Sequence, residues 1–159
     1  MSVLKSEMLY STISNTYLVM NKPIETIRLG YMSIAKGKWW CPDKSKIEAE
    51  RLGAEIVIPQ TTARLIYDYP FRGEFPFEYT STSSNGFTRR EISEKIIGEY
   101  KKIYAEEERV AGDPGCIPGM YNRAQSNGPY QIWGHYISDL YLHSIYRMPN
   151  GDYRIGFDS

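Results

Sequence analysis

Three residues in the C-terminal part of the chain have the types that a thiol hydrolase needs: Cys116, His135 and Asp139. In such an enzyme the cysteine attacks as a thiolate, the histidine removes its proton, and the carboxylate orients the imidazole. His135 and Asp139 are four residues apart, so one helical turn would place them on the same face. The set therefore predicts one candidate activity, that of a small cysteine-type hydrolase.

The surroundings of Cys116 favour a different interpretation. The residue lies in the Gly- and Pro-rich run Asp113–Gly119. A helix N-terminus is one feature that activates a thiol, and no helix is predicted to begin there. The simpler expectation is an ordinary thiol at Cys116 and a polar pair of His135 and Asp139 that holds the loop. We therefore expect no catalytic residue and a protein that is not an enzyme.

Metal and cofactor sites are not predicted. Asp113, His135, Asp139 and His143 are of ligand type, but their spacing matches no recurrent metal motif. The chain has no Walker loop, and Gly115–Gly119 lacks the lysine and the following helix that a phosphate-binding loop requires. We expect neither a metal nor a cofactor.

Tyrosine is unusually abundant, with 14 in 159 residues. Tyr130, Trp133 and Tyr136 are interleaved with small and polar residues, a pattern that suits either a contact surface or an aromatic core. Trp39 and Trp40 follow two nearby lysines. We expect these tryptophans to anchor the core or an interface, and stacking on single-stranded nucleic acid is the alternative.

Length and charge narrow the possible classes of protein. The 159 residues, 42% hydrophobic and 24% charged, are typical of a single globular domain spanning 1–159. The 19 basic and 19 acidic residues balance to zero, which excludes a strongly basic nucleic-acid binder. No apolar run approaches the roughly 18 residues of a membrane span, so no membrane partner is predicted. Two cysteines and no signal-like segment predict free thiols in a reducing compartment.

A helix over about 89–109 is the clearest predicted element. Thr88 and Glu91 match a capping box, and apolar residues then recur every three or four positions. Glu106–Arg109 is expected to be a solvated helix end, and Gly98 to allow the close approach of another backbone. The predicted apolar stripe consists of Ile92, Ile96, Tyr100, Ile103 and Tyr104.

Several short runs predict strands around this helix, which gives an α+β fold with a mostly antiparallel sheet packed on the helix. Pro149–Gly151 is a hairpin turn signal. A short helix is predicted near 44–52, with Asp43 as its N-cap. The predicted strands are 12–20, 26–34, 55–58, 64–69, 75–82, 140–148 and 152–157.

Residues 111–134 show no periodicity and contain many glycines and prolines. A structureless loop of this length inside a compact domain is usually functional or mobile. This loop is therefore the first place to look for a site.

Five motifs together resemble a protein family of large nucleocytoplasmic DNA viruses, marseillevirus-like ones among them, which has eukaryotic relatives. The resemblance covers about residues 64–159 and carries no assigned chemistry. It implies a viral protein packaged in the virion, which acts in the host cytoplasm or nucleus. The motifs are Asp68–Pro70, Gly86–Arg89, Ile132–His135, Asp139–Leu140 and Gly156–Ser159.

These observations predict a non-enzymatic interaction protein of a large DNA virus that self-associates as a homodimer. Poorly bounded strands in 1–42 suggest an appended dimerisation segment, because an unpaired strand edge is a template for a second copy. The alternatives are the hydrolase described above and a weak nucleic-acid binder acting through 1–42. The predicted interaction residues are Trp39, Trp40, Tyr130, Trp133 and Tyr136.

Overall fold

A computed structural model describes residues 21–159 as seven strands and two α-helices with a short 3-10 helix. The helices are α1 (Lys46–Gly53), α2 (Arg89–Ala111) and the 3-10 helix (Ile137–Asp139). The strands are β1 (Glu25–Ser33), β2 (Ile56–Ile58), β3 (Thr62–Tyr67), β4 (Phe75–Thr80), β5 (Phe87–Thr88), β6 (Tyr141–Arg147) and β7 (Tyr153–Asp158).

Five of these strands form one sheet in the order β1-β6-β7-β3-β4. The pairs β1·β6, β6·β7 and β3·β4 are antiparallel, whereas β3 and β7 run parallel. β2 and β5 form a separate two-stranded ladder that leads directly into α2. The predicted α+β class is confirmed. The strand predicted over 12–20 lies outside the described residues.

The core lies between α2 and one face of the larger sheet. The apolar stripe of α2 is buried, as predicted, against side chains of β1, β3 and β6. Burying one such side chain contributes about 1.5–3 kcal/mol. The core residues at this contact are Leu29, Met32, Leu65, Tyr67, Leu142, Ile145, Ile92, Ile96, Tyr100 and Ile103.

Two of the predicted helix caps differ in the structure. The Thr88 hydroxyl accepts the Glu91 N–H at 3.0 Å, but the Glu91 carboxylate accepts the Thr82 N–H at 2.9 Å instead of completing the capping box. Glu91 therefore fastens the preceding loop to the helix. At α1 the N-cap is Ser45 and not Asp43, because Ser45 forms a reciprocal capping box with the residue three positions further on.

Two further expectations for α2 are wrong. A Cβ at Gly98 would have nothing of residues 21–159 within 4 Å, so no backbone of that part of the chain approaches it closely. Glu106 and Arg109 are exposed and pair at 2.7 Å, but Glu107 between them is fully buried. The end of α2 therefore has one solvated face and one face that belongs to the interior.

Among the strands described between residues 21 and 159, β1 lies at the edge of the sheet, but it is part of the domain. It pairs with β6 and places Leu29 and Met32 in the core. Its Arg28 and Leu29 carbonyls accept from Arg89 Nε and Trp39 Nε1, both at 2.9 Å. Residues 21–42 are thus integral to the fold, which leaves 1–20 as the part of the proposed 1–42 segment outside the described residues.

Candidate functional site

Residues 112–136, called the 112–136 loop below, connect α2 to the 3-10 helix without a helix or strand of their own. Two isolated bridges shape the loop, because Arg123 pairs with Cys116 on one side and with Gly134 on the other. Between the first pair the chain turns, with the Ile117 N–H donating to the Asn122 carbonyl at 2.9 Å. The loop is thus folded into short runs that lie side by side.

The buried carboxylate of Glu107 fastens this loop to α2. Its Oε1 accepts from Ser126 Oγ at 2.6 Å and from the Gly128 N–H at 3.0 Å. It also accepts the Ile132 N–H at 3.4 Å, and Oε2 accepts the Tyr130 N–H at 2.8 Å. Hydrogen bonds to a charged acceptor are the strong ones, so a single side chain satisfies four donors of an irregular segment.

The hydrogen bonds keep Glu107 ionised in the interior. Burial raises the pKa of this carboxyl, but the donors from Ser126, Tyr130, Ile132 and Gly128 outweigh burial and hold the pKa below its usual range. Gly128 is required at its position, because a Cβ there would collide with the Glu107 carboxylate.

Arg123 is the buried cation of the same cluster. Its Nη1 donates to the Ile132 carbonyl at 2.6 Å and to Ser126 Oγ at 3.3 Å, and its guanidinium lies 5.8 Å from the centre of the Tyr104 ring. Ser126 therefore bridges Arg123 to Glu107. One hydroxyl thus links two opposite buried charges, whereas the Nε and Nη2 atoms of Arg123 are buried without a hydrogen-bond partner among residues 21–159.

Neither Glu107 nor Arg123 is among the site residues predicted from the sequence. The signal for Glu107 is its phase: it lies four residues after Ile103 and three after Tyr104, so it continues the apolar stripe of α2. A carboxylate at a buried helix position requires internal donors. Nothing in the local sequence indicates that Arg123 lies in the interior.

The outer side of the 112–136 loop is apolar. Tyr121 is 97% exposed and Trp133 is 39% exposed, and Ile117 and Met120 are also exposed. Ile117, Met120 and Tyr121 lie on the turn at 117–122, whereas Trp133 lies near the next bridge. Large exposed apolar side chains that form a patch are typical of contact surfaces.

Trp133 is fixed from behind by the segment that follows β3. Its backbone N–H donates to the Pro70 carbonyl at 3.1 Å. Its ring packs edge-on against the Tyr69 ring, with the ring centres 5.9 Å apart. The His135 ring lies 5.6 Å from the Tyr69 ring, and the His135 carbonyl accepts from the Tyr104 hydroxyl at 3.0 Å. His135 is thus a neighbour of aromatic rings.

The proposed hydrolase residues have other partners. The exposed Cys116 thiol lies 3.7 Å from the Tyr136 hydroxyl, and this hydrogen bond raises the pKa of Tyr136. Asp139 Oδ2 accepts the Tyr136 N–H at 2.8 Å. Within residues 21–159 no hydrogen bond joins Cys116, His135 and Asp139 to one another. Cys116 thus contacts the side chain of Tyr136, and Asp139 contacts its backbone.

The predicted interaction residues are divided between surface and interior. Trp40 and Trp133 are exposed. Trp39 is in the core, with Nε1 bonded to a β1 carbonyl and the Arg90 guanidinium 5.4 Å from its ring centre. Tyr130 and Tyr136 are half-buried, and Tyr130 packs against the core.

No metal or membrane feature stands out from residue 21 onwards. In this part of the chain no three His, Cys, Asp or Glu side chains are grouped so that they could hold a metal ion. His143, one of the ligand-type residues, lies 3.6 Å from the Asp158 carboxylate. None of the helices described between residues 21 and 159 combines the length and apolarity needed to cross a membrane.

Comparisons with protein-family models, with curated proteins and with solved structures found no match to this chain. Function is therefore inferred from the geometry and chemistry of the site.

Proposed function

We propose that this protein is a non-enzymatic interaction protein that self-associates, with the outer side of the 112–136 loop as a contact surface. The observation that carries the proposal is the buried cluster of Glu107, Ser126 and Arg123, which fastens the irregular loop to α2. Binding residues are often found on loops that a rigid scaffold positions. Here that loop presents Tyr121 and Trp133 to solvent.

A second copy of the chain is the partner that its charge favours. The net charge is zero, so no long-range repulsion separates two copies. Tyr and Trp are enriched at the centres of interfaces, where they combine large contact area with a polar group. A two-fold symmetric dimer is the commonest closed assembly.

Light scattering on a dilution series in about 0.5 M salt tests this proposal, since salt at this level screens charge pairs and spares apolar contacts. We expect a dimer of the wild-type chain. Trp133→Ala should weaken it by about tenfold or more, as at an interface hot spot. Ile47→Ala is the matched control, because Ile47 is an apolar side chain on α1 that is 82% exposed. A monomeric wild type, or equal effects of the two substitutions, would contradict the proposal.

The dimerisation role of residues 1–42 is a separate prediction. It cannot be tested by deleting the whole segment, since residues 25–33 form β1 of the main sheet. Two changes avoid this problem. Removal of residues 1–20 leaves β1 intact, and Trp40→Ala removes an exposed side chain. A dimer unchanged by both would contradict the role.

The hydrolase alternative is tested by thiol alkylation. We expect Cys116 to react with iodoacetamide at the same rate in the wild type and in His135→Ala, since no hydrogen bond connects the two residues within 21–159. Cys116→Ser serves as the control that identifies the modified thiol. Faster alkylation that depends on His135 would favour the hydrolase.

We further propose a viral setting, in which the protein is packaged in the virion and acts in the host cytoplasm or nucleus. This proposal is supported only by the resemblance described above. Detection of the chain in purified virions by mass spectrometry would support it, and its confinement to a cellular genome would contradict it.

A further inference from the structure

A second concave surface lies along the edge strand β1 and shares no residue with the 112–136 loop. The register of β1 on β6 shifts between Arg28 and Met32, where Gly30 adopts φ +143°. A Cβ on Gly30 would lie 2.8 Å from the Trp40 carbonyl oxygen, so the segment 39–44 packs closely against β1. The result is a groove of about 750 Å³ between this segment, β1 and β6, called the β1 groove below. Sites for small molecules have volumes of about 300–1,000 Å³.

Three cations line the β1 groove, and one of them has no partner among residues 21–159. Arg89 Nη1 is bonded to Glu55 and its Nε to the Arg28 carbonyl. Lys44 lies 3.8 Å from Asp43, and both side chains are exposed, so this ion pair is weak. The Arg28 guanidinium makes no hydrogen bond or ion pair with any residue of 21–159. The groove therefore offers one guanidinium without a partner in 21–159 and one weakly held ammonium group, and the carboxylates of Asp43 and Asp158 line it as well.

Two residues of β6 that carry hydroxyl groups line the groove. In the register of β1 on β6, Ser144 is opposite Arg28 and Tyr146 is opposite Thr26, so the four side chains share one face of the sheet. Residues directly opposite each other in this way have Cβ atoms about 5 Å apart. Neither the Ser144 nor the Tyr146 hydroxyl has a hydrogen-bond partner within 21–159, and both residues line the groove. Ser144 is buried directly opposite Arg28, whereas the Tyr146 hydroxyl lies over Gly156 of β7, so only the Ser144 hydroxyl is placed next to the guanidinium.

One wall of the groove is aromatic. Tyr31 is 43% exposed and stacks on Tyr141, with ring centres 5.1 Å apart and planes inclined by 15°. A flat ring in a ligand can extend such a stack. Trp39 and Cys41 add apolar surface to the same groove.

We propose that the β1 groove binds a small phosphorylated molecule that carries a flat ring. Arg28, Lys44 and the Ser144 hydroxyl would hold the phosphate, and the ring would lie against Tyr31. A phosphate has more acceptor oxygens than a carboxylate, so it matches a guanidinium, an ammonium and a hydroxyl better. The groove uses side chains and no glycine-rich loop, which explains why the sequence contains no phosphate-binding motif.

The proposal is tested by calorimetric titration of the full chain with adenosine 5′-monophosphate at about 0.15 M salt. We expect saturable binding that Arg28→Ala weakens by at least about tenfold, the effect of losing charge-assisted hydrogen bonds. Arg72→Ala is the matched control, because Arg72 is exposed and lies outside the groove. Arg28 is exposed too, so its loss should not prevent folding, and a thermal melt of each variant checks this.

Three further probes separate the parts of the proposal. Adenosine binding as tightly as the nucleotide would overturn the role of the phosphate, and inorganic phosphate binding as tightly would overturn the role of the ring. A single-stranded oligonucleotide that binds far more tightly than the mononucleotide, through Arg28, would replace the small molecule by nucleic acid. Equal binding to the Arg28 and Arg72 variants, or no binding at millimolar nucleotide, would overturn the site altogether. Trp133→Ala should bind the nucleotide normally, so failure of the loop proposal remains distinguishable.

Discussion

Glu107→Ala is the substitution that tests the central structural argument, namely that one buried carboxylate holds the 112–136 loop. The substitution removes the acceptor for Ser126 Oγ and for the N–H groups of Gly128, Tyr130 and Ile132. It also leaves the buried Arg123 without its anionic partner, to which Arg123 is linked through the Ser126 hydroxyl.

The size of the effect follows from these lost partners. A buried donor without an acceptor costs about 1–3 kcal/mol, and removal of one partner from a buried ionic arrangement costs about 3–5 kcal/mol. We expect Glu107→Ala to lower the free energy of unfolding by about 3–5 kcal/mol, a large part of the roughly 5–15 kcal/mol of a typical domain. Glu107→Gln retains one acceptor oxygen, so about 2 kcal/mol is expected. Glu106→Ala, at the neighbouring position, removes only a solvent-screened ion pair with Arg109 and should have little effect on stability.

Urea unfolding followed by tryptophan fluorescence measures these losses, and thermal melts should shift by about 2–4 °C per kcal/mol. Limited proteolysis gives a local measurement, since Glu107→Gln should expose bonds within 112–136 to cleavage before the rest of the chain unfolds. If Glu107→Ala and Glu106→Ala unfolded at the same urea concentration, the carboxylate would not hold the loop and the reasoning would be refuted.

Three further predictions concern stability. Hydrogen bonds hold the pKa of Glu107 below its unfolded value of about 4.3, so the contribution of its carboxylate to stability is complete above that value. This contribution is lost as the pH falls through the folded pKa. The stability difference between wild type and Glu107→Gln should therefore shrink on acidification, which urea titrations at several pH values would measure. Gly128→Ala should destabilise the protein by about 1–3 kcal/mol, because the new Cβ meets the fixed Glu107 carboxylate. Gly98→Ala should stabilise the protein by about 0.5–1 kcal/mol, because Gly98 lies in a helix with open space around it. Opposite shifts in melting temperature would confirm both. Ile96→Ala should cost about 2–5 kcal/mol and Thr88→Ala about 1 kcal/mol, and equal urea midpoints for the two would contradict the packing of α2.

The sequence by itself determined the elements that depend on neighbours along the chain. The repeat of apolar residues and the Thr88 cap predict α2, which the structure places at Arg89–Ala111. The turn at Pro149–Gly151 predicts the hairpin of β6 and β7, where the Gly151 N–H donates to the Met148 carbonyl at 2.9 Å. Helix caps, helical periodicity and tight turns are interactions between residues a few positions apart, so the local sequence is sufficient to specify them.

The candidate site was only partly predictable, because its position and its supports have different origins. The irregular, Gly- and Pro-rich composition identified the loop, and its exposed Trp133 was among the predicted interaction residues. Glu107 is distant from that loop in sequence, and its donors come from Ser126 to Ile132. From the sequence alone Glu107, next to Glu106 in a polar helix end, is expected to be solvated. It is buried because the distant segment 126–132 packs over it.

Only the tertiary structure decided which distant groups meet. It paired β3 with β7 in parallel, placed Cys116 beside Tyr136 instead of His135, and turned Arg123 into the interior. Each of these outcomes depends on how strands and loops far apart in the chain pack against α2. Their physical basis is the requirement that buried charges and backbone donors find partners, and those partners are fixed only once the whole chain has folded.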